Sequence, residues 1–309
     1  YYWGRRTNIF ISGDQRAVPP WFGAAAVSAN IGETKNSGWE LETTVRGNIG
    51  TDWSYQVGGS VSYAKNEVVF REDPELAPDY QKKAGKPINQ PTGIPGTGII
   101  QSWDDIYTHV GVDNMTGYVP GNYALLDYNG DGVVDGQDNV PCDYNHYPLY
   151  SFSLNLFVGW KNLSLSALLV GQTDVSRQNT YEEFPSPSYS TAIDRDTWEN
   201  MWIPGYNDSG SIRHISFMNS NRSLYASQLQ RADGTLWRLQ SAELSYTFNG
   251  PKLKRTGIQS IRLYLAGNNL WLYSHMSDDR EANATRAKES HSAQYPKLKR
   301  YTFGVNIKF

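Results

Sequence analysis

The chain ends in Tyr301-Thr302-Phe303-Gly304-Val305-Asn306-Ile307-Lys308-Phe309, a stretch in which two residue types alternate strictly. Every odd-numbered position is aromatic or aliphatic, and every even-numbered position is small or polar. Because successive side chains of a β-strand point to opposite faces, the pattern predicts a strand with one wholly apolar face. In water an edge strand with such a face would promote aggregation, so the pattern favours burial of that face.

The same two-residue period recurs along the chain. Within 53–63, the apolar residues Trp53, Tyr55 and Val57 alternate with Ser54 and Gln56. A tilted strand needs about 9 to 11 residues to cross a bilayer, and many of the periodic segments have this length. We predict an all-β chain with roughly eight to ten antiparallel strands. They lie at 39–49, 53–63, 152–160, 163–171, 236–248, 258–272 and 301–309, with weaker candidates at 1–12 and 94–107.

The connections between these strands are either very short or very long. Gly159-Trp160-Lys161-Asn162 and Asn249-Gly250-Pro251 contain the residue types of tight turns. Compact soluble domains seldom hold several structureless loops longer than about 12 to 15 residues. Outer-membrane barrels, in contrast, join strands by short periplasmic turns and long extracellular loops, so the pattern favours a transmembrane antiparallel β-barrel. The long loops are predicted at 64–93, 108–147, 172–233 and 274–298.

Composition excludes several classes of protein. The 309 residues are 39% hydrophobic, and no window approaches the roughly 18 to 20 apolar residues of a transmembrane helix. A mean hydropathy of −0.57 is compatible with a barrel, because about half of each strand faces the lumen. The 10 Trp and 21 Tyr residues suit a membrane interface, although soluble glycan-binding domains can also be rich in them. The net charge of −3 gives no electrostatic support for nucleic-acid binding.

The sequence contains no motif that indicates an enzyme. It lacks the G-x-S-x-G, H-E-x-x-H and P-loop patterns, and its five histidines are widely separated. We therefore predict that the chain is not an enzyme and has no catalytic residues.

The single cysteine, Cys142, excludes an internal disulfide. The chain opens on Tyr1-Tyr2-Trp3 without a signal segment, and we interpret it as an internal or C-terminal piece of a longer precursor.

An acidic stretch, Asp127-Tyr128-Asn129-Gly130-Asp131-Gly132-Val133-Val134-Asp135-Gly136-Gln137-Asp138, matches the calcium loop of EF-hands. Crowded carboxylates repel one another unless a hard cation binds them, so we predict a structural calcium site. The stretch departs from the pattern because it ends in Asp138 instead of Glu and has no evident flanking helices. The alternative is a turn held by Asx-type hydrogen bonds without metal. The predicted ligands are Asp127, Asn129, Asp131, the carbonyl of Val133, Asp135 and Asp138.

Several motifs together resemble one family. They are Gly38-Trp39-Glu40-Leu41, Gly85-Lys86-Pro87-Ile88, Gly98-Ile99-Ile100-Gln101, Pro120-Gly121-Asn122-Tyr123 before the acidic stretch, Arg195 to Trp198, Trp237-Arg238-Leu239-Gln240-Ser241-Ala242-Glu243-Leu244-Ser245-Tyr246, Gly267-Asn268-Asn269-Leu270, and Tyr295-Pro296 to Phe309. In this order the chain resembles the C-terminal part of the SusC/RagA-like TonB-dependent outer-membrane transporters of Bacteroidota. The ending on Phe309 also looks like the C-terminal signature of bacterial outer-membrane proteins.

The resemblance implies a fold and a function. The intact protein would be a 22-stranded barrel with an N-terminal plug, and residues 1–309 would form a C-terminal portion of that single barrel domain, without the plug. It would lie in the outer membrane of a Gram-negative bacterium and import glycans or oligopeptides. Its partners would be a SusD-like lipoprotein at the extracellular face and TonB, which would act through the missing N-terminal region. Remaining strands would come from the same precursor or another chain, since unpaired strand edges cannot face lipid.

Aromatic residues in the predicted loops are the candidates for substrate contact. Their rings can stack on sugars or pack against peptide side chains, although packing within the loops or against the lipoprotein is the alternative for each. A secreted calcium-dependent β-rich glycan-binding protein or adhesin is the competing function, and a glycan-cleaving enzyme is a third. The candidates are Trp103, Tyr107, Tyr118, Tyr144, Tyr181, Trp198 and Trp202.

Overall fold

An eight-stranded antiparallel sheet organises the chain. The structure, a computed structural model, describes residues 1–109, 119–178, 195–211, 231–276 and 297–309. In these residues the sheet order is β1-β2-β3-β8-β9-β12-β13-β14, so the strands pair in chain order and β1 and β14 form the two ends. The strands are β1 (Tyr2–Ile11), β2 (Ala29–Ile49), β3 (Trp53–Phe70), β4 (Thr92–Gly93), β5 (Gly96–Ile99), β6 (Tyr123–Leu125), β7 (Val140–Pro141), β8 (Tyr150–Trp160), β9 (Leu163–Thr173), β10 (Ser176–Gln178), β11 (Arg231–Asp233), β12 (Leu236–Phe248), β13 (Ser260–Ser274) and β14 (Arg300–Lys308).

Helices are few and short. They are α1 (Trp103–Thr108), α2 (Arg195–Asn200) and α3 (Pro251–Lys254), with 3₁₀ turns at Gly13–Gln15, Pro20–Phe22 and Gly136–Asp138. Among the described residues, no helix has the length and apolar character needed to span a membrane. The predicted all-β class and antiparallel strand order are confirmed.

All connections of the short kind lie at one end of the sheet. Residues 50–52, 161–162 and 249–259 join consecutive strands there, and we call this the short-turn edge. Gly50 and Lys161 adopt positive φ angles of 62° and 52°, which the tight turns require. Residues 12–28, 71–149, 174–235 and 275–299 connect strands at the opposite end, the long-loop edge. Two of the three connections at the short-turn edge are tight, whereas 249–259 spans eleven residues and holds α3 in place of the tight turn expected at Asn249-Gly250-Pro251.

One face of the sheet is apolar across strand after strand. The register aligns Val45, Val57 and Leu156, and a second apolar set on the same face, four positions along, is Leu41, Val61 and Phe152. Side chains of this apolar face remain solvent-exposed in the isolated chain, as the 61% exposure of Leu41 illustrates. Exposed apolar area on this scale requires a covering partner or a lipid environment.

Two rows of aromatic residues border the apolar face. Near the long-loop edge, Trp39 and Tyr150 lie on either side of Tyr63, with ring centroids 6.3 and 4.7 Å from it. At the short-turn edge, the centroids of Trp53 and Trp160 are 5.9 Å apart. Tyr63 and Trp53 lie ten positions apart on β3, which is about 33 Å along the strand. A strand tilt of 35–45° reduces this to about 25 Å of height, the thickness of the lipid-facing band of outer-membrane barrels.

The opposite face of the sheet is polar. Hydroxyl groups pair across strands, with Ser60 and Ser153 oxygens 2.7 Å apart. An ion pair between Arg262 and Glu243 joins β13 to β12, and the Arg262 guanidinium also donates to Ser245 Oγ at 3.3 Å. This polar face has the character expected of a barrel lumen.

The structure corrects three of the predicted strands. Residues 94–107 do not form a membrane-length strand but hold β5 and α1. Helix α1 begins because Ser102 and Asp105 form a capping box, in which Ser102 Oγ accepts from the Asp105 N–H and the Asp105 carboxylate accepts from the Ser102 N–H. Strand β2 begins at Ala29, ten residues before the predicted start, and β3 continues to Phe70. The two strands therefore extend past the aromatic row at the long-loop edge.

The close approach of strands at Gly38 gives a stability prediction. A Cβ atom at this position would overlap the backbone carbonyl oxygen of Tyr63 and the ring of Tyr2. We expect Gly38→Ala to destabilise the full-length protein by about 1–3 kcal/mol, because the backbone must shift to admit the methyl group. The urea midpoint in lipid vesicles measures the effect. Gly59→Ala is the matched control, since its Cβ would lie 3.8 Å from the nearest carbonyl oxygen, and an equal loss in both variants would contradict the explanation.

Candidate functional site

The loop between β3 and β8 folds into a small unit at the long-loop edge. Strand β4 pairs with β7, and β5 pairs with β6. Between them lies a compact core in which Ile100 and Val134 are 1% and 0% exposed. Leu125 and Cys142 are also buried, and burial raises the pKa of the Cys142 thiol. The acidic stretch is therefore part of a packed unit and not a free loop.

The first half of the acidic stretch is held by its own backbone. Both carboxylate oxygens of Asp127 accept hydrogen bonds, Oδ1 from Gly130 and Asp131 N–H and Oδ2 from Gly132 N–H, at 2.7–3.2 Å. Asp131 Oδ1 accepts from the Val133 N–H at 2.9 Å. These are Asx-type turns, the alternative that the sequence left open. Gly130 and Gly132 have φ angles of 74° and 91°, so both use the left-handed region that glycine tolerates.

Asp138 closes the acidic stretch from inside the core. It is 0% exposed, and its Oδ1 accepts from the N–H groups of Tyr128 and Asn129 at 2.8 and 3.1 Å. Its Oδ2 accepts from the Asp135 N–H at 2.8 Å. Asp138 therefore links the beginning of the stretch to its end, and three backbone N–H groups have it as their acceptor.

The donor set of the acidic stretch fits a hard cation only in part. Within the described residues, no group of three or more His, Cys, Asp or Glu side chains is arranged to hold a metal ion. Each carboxylate oxygen has two lone pairs, so Asp127 Oδ2 and both oxygens of Asp131 keep capacity for a cation, whereas Asp127 Oδ1 already accepts two N–H bonds. Two N–H groups already occupy Asp138 Oδ1. Asp138 can therefore offer a cation its Oδ2 atom alone, which makes bidentate coordination at the twelfth position unavailable.

The predicted aromatic contacts differ in their exposure. Trp103 and Tyr107 on α1 are 63% and 87% exposed, and Tyr144 and Trp198 are each 48% exposed. Trp202 is 4% exposed, so it could contact a ligand only after its loop rearranged. Tyr118 and Tyr181 lie outside the described residues. Tyr144 lines a cavity at the long-loop edge, and its pKa is raised by the negative charge of Asp174.

Sequence reasoning missed a polar cluster where β12 and β13 leave the sheet. His275 Nδ1 lies 2.5 Å from Asp233 Oδ2, and His275 Nε2 lies 3.0 Å from the Tyr273 hydroxyl. Burial raises the pKa of Asp233, but hydrogen bonds from Thr235 and His275 outweigh it, and the pKa is lowered overall. The hydrogen bond between Asp233 and His275 links the residues just before β12 to those just after β13. No sequence motif predicts this cluster, because Asp233 and His275 are distant in sequence and come together only through strand pairing.

The chain is similar to known proteins in sequence. The chain is 24% identical over 317 aligned positions to TonB-dependent receptor P3 of Formosa agariphila, covering 95% of this chain and 30% of that protein. It is 23% identical over 341 positions to TonB-dependent receptor P26 of the same organism, covering 100% of this chain and 32% of that protein. The predicted resemblance to TonB-dependent transporters is confirmed.

Solved structures agree with this transporter resemblance at the level of the fold. The structure of the RagAB peptide transporter matches with a TM-score of 0.65 at 16% identity over 96% of this chain. The RagAB peptide importer in its open-open state matches with a TM-score of 0.63 at 17% identity over 99%. The chain spans about a third of the length of the relatives that it matches, 30–32% of the receptors and 32% of these two solved chains. No family profile matches the chain.

Proposed function

We propose that this chain is part of a TonB-dependent active importer of glycans or oligopeptides in the outer membrane of a Gram-negative, Bacteroidota-like bacterium. The apolar face bounded by two aromatic rows about 25 Å apart is the observation that carries the proposal. The similarity to TonB-dependent receptors of Formosa agariphila supports the transport class and the organism group. The polar face would line the lumen through which substrate passes.

The remaining parts of the importer would come from sequence outside this chain. Strands β1 and β14 are the two ends of the sheet, and in the described residues neither pairs on its outer side. Because an unpaired edge is too costly in lipid, further strands must complete the barrel. A plug and the segment that contacts TonB would accompany them, and a SusD-like lipoprotein would cover the long-loop edge, which would be extracellular.

Uptake measurements test the import proposal. Cells expressing the full-length protein should deplete labelled oligopeptides or glycans from the medium, and deletion of TonB or of the lipoprotein partner should abolish that depletion. Uptake that continues without TonB would contradict the proposal.

A full-length protein that stays monodisperse in buffer after complete removal of detergent would favour the secreted glycan-binding alternative, because the exposed apolar face could not then be a lipid surface.

Calcium binding by the acidic stretch is a separate proposal. Oxygen atoms of Asp127, Asn129, Asp131 and Asp135, with the carbonyl of Val133, are hard donors suited to Ca²⁺, and the ion would rigidify the loop unit without taking part in transport. We expect Asp127→Ala combined with Asp131→Ala to remove bound calcium from the purified full-length protein, as measured by elemental analysis. Asp104→Ala is the control, as an exposed carboxylate of the same loop unit. Calcium content that does not change in the double variant would show that the ion, if present, binds elsewhere.

A further inference from the structure

A cavity of about 380 Å³, with an apolar lining interrupted by polar side chains, lies at the long-loop edge, where β1, β2 and β3 meet two loop segments. Its volume is within the about 300–1,000 Å³ of small-ligand sites. The residues that matter for binding come from three strands and from the segments 87–90 and 143–149. They are Tyr2, Asn36, Asn66, Gln90, Tyr144 and Tyr147.

Side-chain to backbone hydrogen bonds hold the cavity walls in place. Asn66 Oδ1 accepts from the Ile88 N–H at 2.7 Å, and Asn145 Nδ2 donates to the Ile88 carbonyl at 2.7 Å. Gln90 Nε2 donates to the carbonyl oxygens of Cys142 and Asp143 at 3.1 and 3.2 Å. Both loop segments are thus fastened to β3 and to each other, so a ligand would meet a preorganised site and would lose little free energy to ordering it.

The same residues keep polar atoms available for a ligand. The side-chain oxygen of Asn66 and the side-chain nitrogen of Gln90 are engaged in the hydrogen bonds that hold the cavity walls. Asn66 Nδ2 therefore remains as a donor and Gln90 Oε1 as an acceptor. Asn36 pairs with Asn66 across β2 and β3, and within the described part of the chain neither atom of its amide has a hydrogen-bond partner. The cavity therefore presents amide donors and acceptors side by side.

The aromatic ring of Tyr147 lines the same cavity. Tyr147 is 63% exposed, and its ring is supported by His146, with the two centroids 4.1 Å apart. Formal charge is nearly balanced: Lys65 lines the rim, while the Asp143 carboxylate lies 3.8 Å from the Arg231 guanidinium. Burial raises the pKa of Asp143 more than Arg231 lowers it. A cavity of this kind favours a neutral ligand with many hydroxyl groups over a strongly charged one.

We propose that this cavity is a binding subsite for a short neutral saccharide unit, an inference that rests on the proposed import function and assigns it a glycan substrate. Sugar hydroxyls both donate and accept, as the amides of Asn36, Asn66 and Gln90 do together. The apolar C–H face of a sugar ring would pack on Tyr147. An oligopeptide carries charged termini, and the cavity offers the free Lys65 ammonium but no unpaired carboxylate to match them.

Binding of defined probes to the purified full-length protein in detergent tests the subsite. The probes are maltose, cellobiose, lactose and triglycine, measured by saturation-transfer NMR and titration. Asn36→Leu removes an amide at similar volume, and Tyr147→Ala removes the ring. The matched controls are Asn48→Leu, on the polar face at the other end of β2, and Tyr206→Ala, a ring that is 76% exposed outside the cavity. Two variants at different positions keep the test decisive if one of them fails to fold.

We expect at least one disaccharide to bind and each cavity variant to weaken that binding about tenfold, which corresponds to about 1.4 kcal/mol. The controls should bind as the unchanged protein does. Equal affinity in all variants, or no disaccharide binding at all, would overturn the subsite. Binding of triglycine that the cavity variants abolish would instead make it a peptide site. If the subsite is overturned but uptake still depends on TonB, the proposed import function remains supported. Uptake that does not depend on TonB would contradict the import function itself.

Discussion

Replacing Leu156 by Arg is expected to lower the free energy of unfolding of the full-length protein in a bilayer by about 2–4 kcal/mol. Leu156 lies on the apolar face of β8, which runs from Tyr150 in one aromatic row to Trp160 in the other. Its position near the middle of the strand places it close to the bilayer midplane, where a guanidinium loses most of its hydration. Urea unfolding in vesicles of defined lipid measures the change.

The neighbouring residue supplies the control for this experiment. Asn155 precedes Leu156 on the same strand and lies on the polar face, opposite Gly58 of β3. Because the polar face would line the aqueous lumen of the proposed barrel, Asn155→Arg should cost far less than Leu156→Arg. Similar losses in the two variants would mean that the two faces do not differ in environment, and the membrane interpretation of the sheet would fail.

Replacing Asp138 by Ala is expected to unfold the loop unit between β3 and β8 while the sheet stays folded. The substitution leaves the N–H groups of Tyr128, Asn129 and Asp135 without the acceptor they have now. The acceptor is a fully buried carboxylate, and a hydrogen bond to a charged group contributes about 1.5–3 kcal/mol, so the loss of three exceeds about 4 kcal/mol. Limited trypsin digestion of the full-length protein in membranes should then cut within 71–149, with the urea midpoint of the barrel nearly unchanged.

Two further variants separate the role of Asp138 from a general effect of charge. Asp138→Asn keeps one carbonyl acceptor and should be protected more than Asp138→Ala but less than the unchanged protein. Asp104→Ala removes an exposed carboxylate from α1 of the same unit and should not increase cleavage. If Asp138→Ala were as resistant to trypsin as the unchanged protein, the hydrogen bonds to Asp138 would not be what holds the unit together.

Two-residue periodicity predicted the large sheet because the apolar and polar faces of its strands alternate residue by residue along the chain. The strands ending at Ile49, Trp160 and Phe248 were expected and are present. The extension of β2 upstream of Trp39 was not predictable, since Thr34, Lys35 and Asn36 show no apolar face and are held as a strand by pairing with β1 and β3. The shift in register between Leu239 and Ser241 likewise depends on two partner strands and leaves no local signal.

The candidate sites were less predictable because they depend on contacts across loops. The acidic motif could be recognised, but the burial of Asp138 comes from packing of the surrounding unit and not from the motif. The solvent exposure of an aromatic residue cannot be predicted from its position in a polar loop sequence: Trp202 is 4% exposed and Tyr107 is 87% exposed. The cavity combines Asn36, Gln90 and Tyr147 from distant segments, and no spacing in the sequence indicates it.

Spin-label scanning along β8 tests the central claim most directly. Nitroxides would be placed singly at positions 151–158 of the full-length protein in lipid bilayers, with the buried Cys142 replaced by Ala. We expect labels at the even positions, which share the apolar face with Leu154 and Leu156, to collide mainly with oxygen dissolved in lipid. Labels at the odd positions should collide mainly with a water-soluble nickel complex. A two-residue alternation of this kind would support a membrane-spanning strand, and uniform exposure to the nickel complex at all eight positions would contradict it.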